Sequence, residues 1–308
     1  TGVQTCALPI LYQIPIVFLQ QDILTPISEC LDLGELKVDM NEWNELVRRV
    51  NEPTNKVRIA FVGKYLELKE SYKSLTEALI HSGANLDTKV DIKWCDSERI
   101  DFENVDEILK DVDGVLVAGG FGKRGIKGKM EAIKYARTHK IPYLGICLGM
   151  QLALIEFARD VLGIKEANSV EFDENTKEPI IYLIDEFIDS HGKKQLRTHK
   201  SPLGGTMRLG GYEYNIKSNS LLSKIYNGVK TAKERHRHRF EANPKYKEKF
   251  EKSGLIVSGE SDGLIEAVEL KDHPFFIGVQ FHPEFTSRLT KPNPVITGFL
   301  SAALKNSK

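Results

Sequence analysis

Cys147 stands in the stretch Gly145-Ile146-Cys147-Leu148-Gly149-Met150-Gln151, with one glycine two residues before it and another two residues after. That setting marks a candidate nucleophile, because the glycines leave room for a strained backbone and a close-approaching substrate. The apolar run Ile141–Ile146 reads as a buried strand, and Met150 to Leu162 carries apolar side chains at helical spacing. Cys147 therefore falls on a sharp strand-to-helix turn, the nucleophile-elbow arrangement with sulfur in place of oxygen. A helix N-terminus behind the sulfur favours the thiolate, its reactive form. A lone cysteine is more often a small buried apolar residue, so a partner has to decide between the two readings. The partner lies in Val279-Gln280-Phe281-His282-Pro283-Glu284-Phe285. Phe275 to Phe281 alternates and is β-prone, so His282 leaves a strand end beside the elbow. In an extended segment residues two apart point the same way, which lets Glu284 reach back to His282 and fix the ring tautomer.

The elements that must position these groups follow a simple rhythm. From Val57 onward, strand candidates Val57–Val62, Val90–Cys95, Gly114–Ala118 and Ile141–Ile146 alternate with helical stretches at Tyr72–His81, Val105–Lys110 and Lys129–His139. This predicts an α/β fold, a doubly wound and mostly parallel sheet carrying the elbow. Shorter strands follow at Thr206–Ile216, Arg235–Glu241, Leu255–Ser258 and Leu264–Leu270, then a closing helix over Val295–Leu304. The polar stretch Thr176–Pro202 reads as a loop or lid. Residues 1–56 have a different character and end in Asn51-Glu52-Pro53-Thr54-Asn55, a loop signature after the amphipathic segment Met40–Val50.

Composition removes several function classes. The 308 residues, 41% hydrophobic and 28% charged, suffice for one large or two modest domains. Lys+Arg and Asp+Glu balance at 43 each, which gives no support to a general nucleic-acid or anionic-membrane surface. Cys6, Cys30, Cys95 and Cys147 are scattered without ligand spacing, so neither a disulfide scaffold nor a metal site is indicated, and a reducing cytoplasm fits. No apolar run reaches the roughly 18 residues of a membrane span, and no signal peptide is evident. In Arg235-His236-Arg237-His238-Arg239 the alternation puts three arginines on one strand face, which suits a small anion better than a nucleic acid.

The elbow and the Gln-Phe-His-Pro-Glu segment together resemble the class I (triad) glutamine amidotransferases. Four further stretches resemble the CTP synthase branch of that family: Gly119–Gly125, Ala167–Phe172, Leu203–Gly210 and Arg235–Glu241. The likeness runs from about Leu11 to the C-terminus. It implies a Cys147-His282-Glu284 triad that hydrolyses L-glutamine, with the oxyanion hole formed by backbone N–H groups of Gly120 and Leu148. It also implies glutamine contacts from Gly120, Phe121, Leu148, Gly149, Met150 and Gln151, with Glu171 on the α-ammonium and Arg239 on the carboxylate. GTP is the family's activator, and Arg124, Arg197 and Arg208 lie in loops that can reach it.

By the same resemblance, ammonia passes through the protein to a synthetase domain that aminates ATP-phosphorylated UTP to CTP, a step of pyrimidine nucleotide biosynthesis. The parent enzyme is expected to be a cytoplasmic homotetramer. Residues 11–56 correspond to the end of the synthetase domain and the linker, and 57–308 to the glutaminase domain. Thr1–Ile10 match nothing in the family and read as a sequence artefact. With no GxxxxGK[ST] loop in the chain, the ATP, Mg²⁺ and UTP sites are expected on the missing domain, and no cofactor or metal on this one. Two readings compete. The glutaminase of another class I amidotransferase, or a γ-glutamyl hydrolase, leaves Leu203–Gly210 and Arg235–Glu241 without a role. An inactive regulatory or assembly module does not explain an intact Cys147, His282 and Glu284.

Overall fold

The computed structural model describes residues 3–64, 66–183, 186–188, 194–196 and 207–307. Three helices come first: α1 (Val3–Gln20), α2 (Leu24–Leu31) and α3 (Asn41–Asn51), the last being the expected amphipathic segment. The alternating part follows as β1 (Asn55–Gly63), α4 (Lys73–Asn85), β2 (Thr88–Asp96), α5 (Val105–Leu109), β3 (Gly114–Val117), α6 (Ile126–Thr138), β4 (Tyr143–Ile146) and α7 (Leu148–Asp160). Next come β5 (Ala167–Ser169), β6 (Glu178–Leu183), β7 (Glu186–Ile188), β8 (Lys194–Leu196), β9 (Arg208–Ile216), α8 (Leu221–Ile225) and β10 (Thr231–His238). The chain closes with β11 (Phe240–Ala242), α9 (Lys247–Lys252), β12 (Leu255–Ser261), β13 (Leu264–Leu270), β14 (Phe276–Val279) and α10 (Pro294–Asn306).

Among the described residues nine strands form the main sheet, in the order β10-β9-β12-β13-β14-β4-β3-β1-β2. The run β2-β1-β3-β4-β14 pairs parallel throughout, and each pairing from β14 out to β10 is antiparallel, so seven of the nine strands point one way. Helices cover both faces. Along β1, Ala60 and Val62 enter one core with α6 and α7, while Ile59 and Phe61 enter the other with α4 and α10. A central strand buried on both sides has no polar face to show, which is why these strands read as continuous apolar runs. The same applies to β14: all four of its residues are buried between β4 and β13, instead of alternating in and out.

Thr176–Pro202, expected as loop, contains β6, which pairs with β5 and β11 in a separate three-stranded sheet, and the β7–β8 hairpin. Ile180 and Ile181 are fully buried there and give the segment a reason to be a strand that its flanking charges disguise. At the other end, the Tyr12 hydroxyl donates to Glu77 at 2.6 Å and the Trp43 ring N–H to the Tyr12 carbonyl at 2.9 Å, fastening α1 and α3 to α4. No described helix is long and apolar enough to cross a membrane.

Candidate active site

The turn between β4 and α7 holds Cys147 at φ 53°, ψ −105°, a conformation that side-chain-bearing residues rarely adopt. Its N–H donates to the Val279 carbonyl at 2.7 Å, which ties the elbow to the end of β14. The two flanking glycines have a different use from the one expected. A Cβ on Gly145 would lie 2.4 Å from the Tyr143 hydroxyl and 2.8 Å from the Gly149 carbonyl carbon, and one on Gly149 would lie 2.3 Å from the Val117 carbonyl oxygen. They let strand and helix close on each other.

His282 lies three residues beyond the end of β14, with its N–H donating to the Arg235 carbonyl at 2.8 Å. Its ring lines the same small cavity as Cys147, and its Nδ1 lies 2.7 Å from Glu284 Oε1. Burial alone would lower the imidazole pKa, but the hydrogen bonds and charges of Cys147 and Glu284 outweigh it and push it up to about 10. Glu284 does not reach the ring along an extended strand. Pro283 opens a short 3₁₀ turn, Pro283–Phe285, and the carboxylate comes back across that turn while Phe285 stacks on the imidazole. Gln280, two residues earlier and fully buried, points its amide at Cys147 Sγ, 3.7 Å away.

A loop after β3 covers the sulfur. A Cβ on Gly119 would stand 3.2 Å from His282 Cε1 and 3.5 Å from Cys147 Cβ, and one on Gly120 would stand 3.7 Å from Leu148 Cδ2. The structure thus brings Gly120 and Leu148 together beside Cys147. Glu171 Oε1 accepts the Gly122 N–H at 2.8 Å. Burial raises the Glu171 carboxyl pKa, opposed by that N–H and by the charges of Lys64 and Arg239. Lys64 Nζ donates to the Phe121 carbonyl and the buried Lys129 Nζ to Ala118 O at 2.9 Å.

A cavity of about 170 Å³, the size that holds one small molecule, opens over Cys147 and His282 between Gly119, Gly120, Phe121 and Arg237. A larger groove of about 1030 Å³ runs past Trp94 and Arg124, but it does not include Cys147 and carries no comparable chemistry. Phe121 is half exposed at the cavity rim. Gly149 and Met150 turn toward the sheet, Met150 packing on Gly278, so what they offer a ligand is first-turn backbone N–H. The Gln151 side chain is likewise spent internally, donating to the Phe240 carbonyl at 2.8 Å and to Gln280 Oε1 at 3.0 Å. Arg237 lines the cavity, and Arg239, in the bend after β10, is near enough to Glu171 for its charge to act on that carboxylate.

Of the three loop arginines, Arg124 is surface-exposed and paired with Glu98 at 2.8 Å. Arg208 is 2% exposed, bonded to Glu266 at 2.6 Å and stacked on Tyr212, so its guanidinium is not presented to a solvent-borne effector. Arg197, with residues 203–206 of the Leu203–Gly210 motif, lies outside the described residues. Lys64, Lys129 and Gln280 have no assigned role in the sequence reading, whereas Arg237 is one of the three arginines it gives to a small-anion face. Lys64 had one available signal, its place at the carboxyl end of a parallel strand, the end where the elbow also lies. Lys129 had none, since a lysine on a helix reads as solvated.

The family model for class I glutamine amidotransferases matches residues 67–302. CTP synthase of Campylobacter jejuni is 67% identical over 294 residues, which cover 96% of this chain and 54% of that protein. CTP synthase of Wolinella succinogenes is 65% identical over 300 residues, 97% of this chain and 54% of that protein. The chain therefore spans about half the length of these relatives. The solved glutaminase domain of Trypanosoma brucei CTPS with bound acivicin superposes with a TM-score of 0.73 at 40% identity, covering 81% of this chain and 94% of that one. The chain belongs to the class I glutamine amidotransferase family, in the branch represented by the glutaminase domain of CTP synthases.

Proposed function

We propose that this chain hydrolyses L-glutamine and supplies the ammonia to a synthetase half that aminates UTP to CTP with ATP and Mg²⁺. The observation that carries the reading is the alignment of Cys147, His282 and Glu284 beneath a small cavity roofed by Gly119 and Gly120. In this reading the Cys147 sulfur attacks the side-chain amide carbon, and backbone N–H groups of Gly120 and Leu148 receive the oxyanion. His282, held protonated by its two neighbours, gives its proton to the departing ammonia and then takes one from the water that cleaves the γ-glutamyl thioester. Glu171 and the arginines on and after β10 hold the amino acid's ammonium and carboxylate. GTP acts as activator from the Phe121–Arg124 side. The test is ammonia release from L-glutamine by the purified chain, alone and mixed with a separately expressed synthetase half, with and without GTP. Slow release alone and glutamine-dependent CTP in the mixture are expected. No release in either setting would overturn the reading.

Glu171→Ala is expected to raise the glutamine KM about 10- to 100-fold. It removes one charge-assisted contact worth roughly 1.5–3 kcal/mol to a group remote from the reacting amide. Steady-state kinetics decide it, and an unchanged KM would place the ammonium elsewhere.

A further inference from the structure

Lys129 is the fourth residue of α6, where a lysine normally reaches solvent, yet it is fully buried. Burying an ammonium without a carboxylate is costly and calls for a reason. Among the described residues its hydrogen-bond partner is the carbonyl oxygen of Ala118, 2.9 Å away. The titratable groups that face it are Lys64, from the loop after β1, and Cys147 at the elbow. Ala118 joins β3 to Gly119, so the peptide that Lys129 holds is the one that opens the loop over Cys147. In a trans peptide the C=O and N–H point opposite ways. Fixing the Ala118 oxygen on Lys129 therefore fixes the Gly119 N–H on the far side, away from the amine. The other end of the loop is held at both atoms of one peptide, the Phe121 oxygen by Lys64 and the Gly122 N–H by Glu171. Between these pins, the N–H groups of Gly120 and Phe121 find no backbone acceptor among the described residues. A Cβ on Gly120 would lie 3.8 Å from Lys129 Nζ, so the amine supports the loop at that residue too.

We propose that Lys129 is a positioning residue for glutamine hydrolysis: from beneath the loop it fixes the Ala118–Gly119 peptide and, through it, the Gly119–Gly120 backbone that receives the oxyanion. The proposal rests on the glutaminase reading above. It does not depend on the charge state, which matters because burial and Lys64 lower the amine pKa to about 7. A neutral amine still donates to a carbonyl.

The experiment compares the unmodified chain with Lys129→Met, which keeps an unbranched stem one bond shorter and loses the donor, and Lys129→Gln, which has the same reach as Met and keeps a donor. Glutamine hydrolysis is measured with the synthetase half present, and amide hydrogen exchange is followed over residues 114–125. Lys129→Met is expected to lower kcat about 10- to 100-fold with KM within about twofold, and to speed exchange at the Gly122 N–H, which Glu171 holds at the other end of the loop, but not in β3. Lys129→Gln is expected to recover part of kcat. An unchanged kcat, or unchanged loop exchange, in Lys129→Met would overturn the proposal, as would equal damage to kcat, KM and exchange throughout the domain. Should Lys129→Met not fold, Lys129→Gln carries the test, and its loop exchange must lie above that of the unmodified chain. Absence of glutamine hydrolysis by the unmodified chain would instead refute the glutaminase reading, and the exchange comparison would still show whether Lys129 pins the loop.

Discussion

Cys147→Ser is expected to lower glutamine hydrolysis by on the order of 10⁴-fold or more, the scale of loss when the nucleophile of a covalent mechanism is removed. The sulfur shares the small cavity with His282 and is the atom at which Gln280 is directed, so a poorer nucleophile there cannot be replaced by a neighbour. Serine is smaller than cysteine by little and keeps the backbone that forms the elbow, so the thermal midpoint should move by no more than a few degrees. The imidazole should respond as well. The Cys147 hydrogen bond and charge contribute to the rise of the His282 pKa, so titration of the ring by NMR should show a lower value in the variant. In the proposed reading the phosphorylation chemistry belongs to a synthetase half, so CTP formation from free ammonia by a chain that carries both halves should persist. Equal loss of both activities would assign Cys147 a structural role and sink the mechanism.

What the sequence made legible, and what it did not, follows from the range of the forces involved. The parallel strands could be read because burial on both faces leaves an apolar run, as in Ile59–Val62. The elbow could be read because Gly145, Cys147 and Gly149 encode a local steric demand. Pairing of His282 with Glu284 is legible as a spacing, but its geometry is not, because Pro283 opens a 3₁₀ turn where the spacing alone suggests an extended segment. Residues whose roles come from distant partners were not legible at all. Lys129 is buried because α6 packs its first turn against the end of β3, and nothing within its own helix announces that. Arg208 shows the converse: an arginine in a glycine-rich stretch looks exposed until Glu266, 58 residues away, is brought within 2.6 Å. The expected strand Arg235–Glu241 is interrupted at Arg239, between β10 and β11, and strand ends are the least certain feature of a sequence reading.

Gly149→Ala tests whether the elbow glycines serve packing, as the geometry indicates, and its effect should be on stability before activity. Alanine is the better helix former by about 1 kcal/mol, so propensity alone predicts a gain at this position in α7. Against it stands a Cβ placed 2.3 Å from the Val117 carbonyl oxygen and 3.2 Å from its carbon. Both obstacles are backbone, in a strand paired on either side by β1 and β4, so neither can rotate away. The helix cannot step back either, since Leu148 to Ala158 are all buried. Overpacking in a fixed core costs about 1–3 kcal/mol or more, and with rigid backbone on both sides the upper end applies, so a net loss of about 2 kcal/mol or more is expected. Gly120→Ala is the control. Its Cβ would meet Lys64, Leu148 and Lys129 at 3.6–3.8 Å, ordinary contact distances, so stability should stay within about 1 kcal/mol. Urea denaturation midpoints of the two variants decide the matter. A Gly149→Ala midpoint equal to that of the unmodified chain would mean that the strand and helix do not approach as closely as the elbow requires, and the placement of Cys147 between them would have to be abandoned.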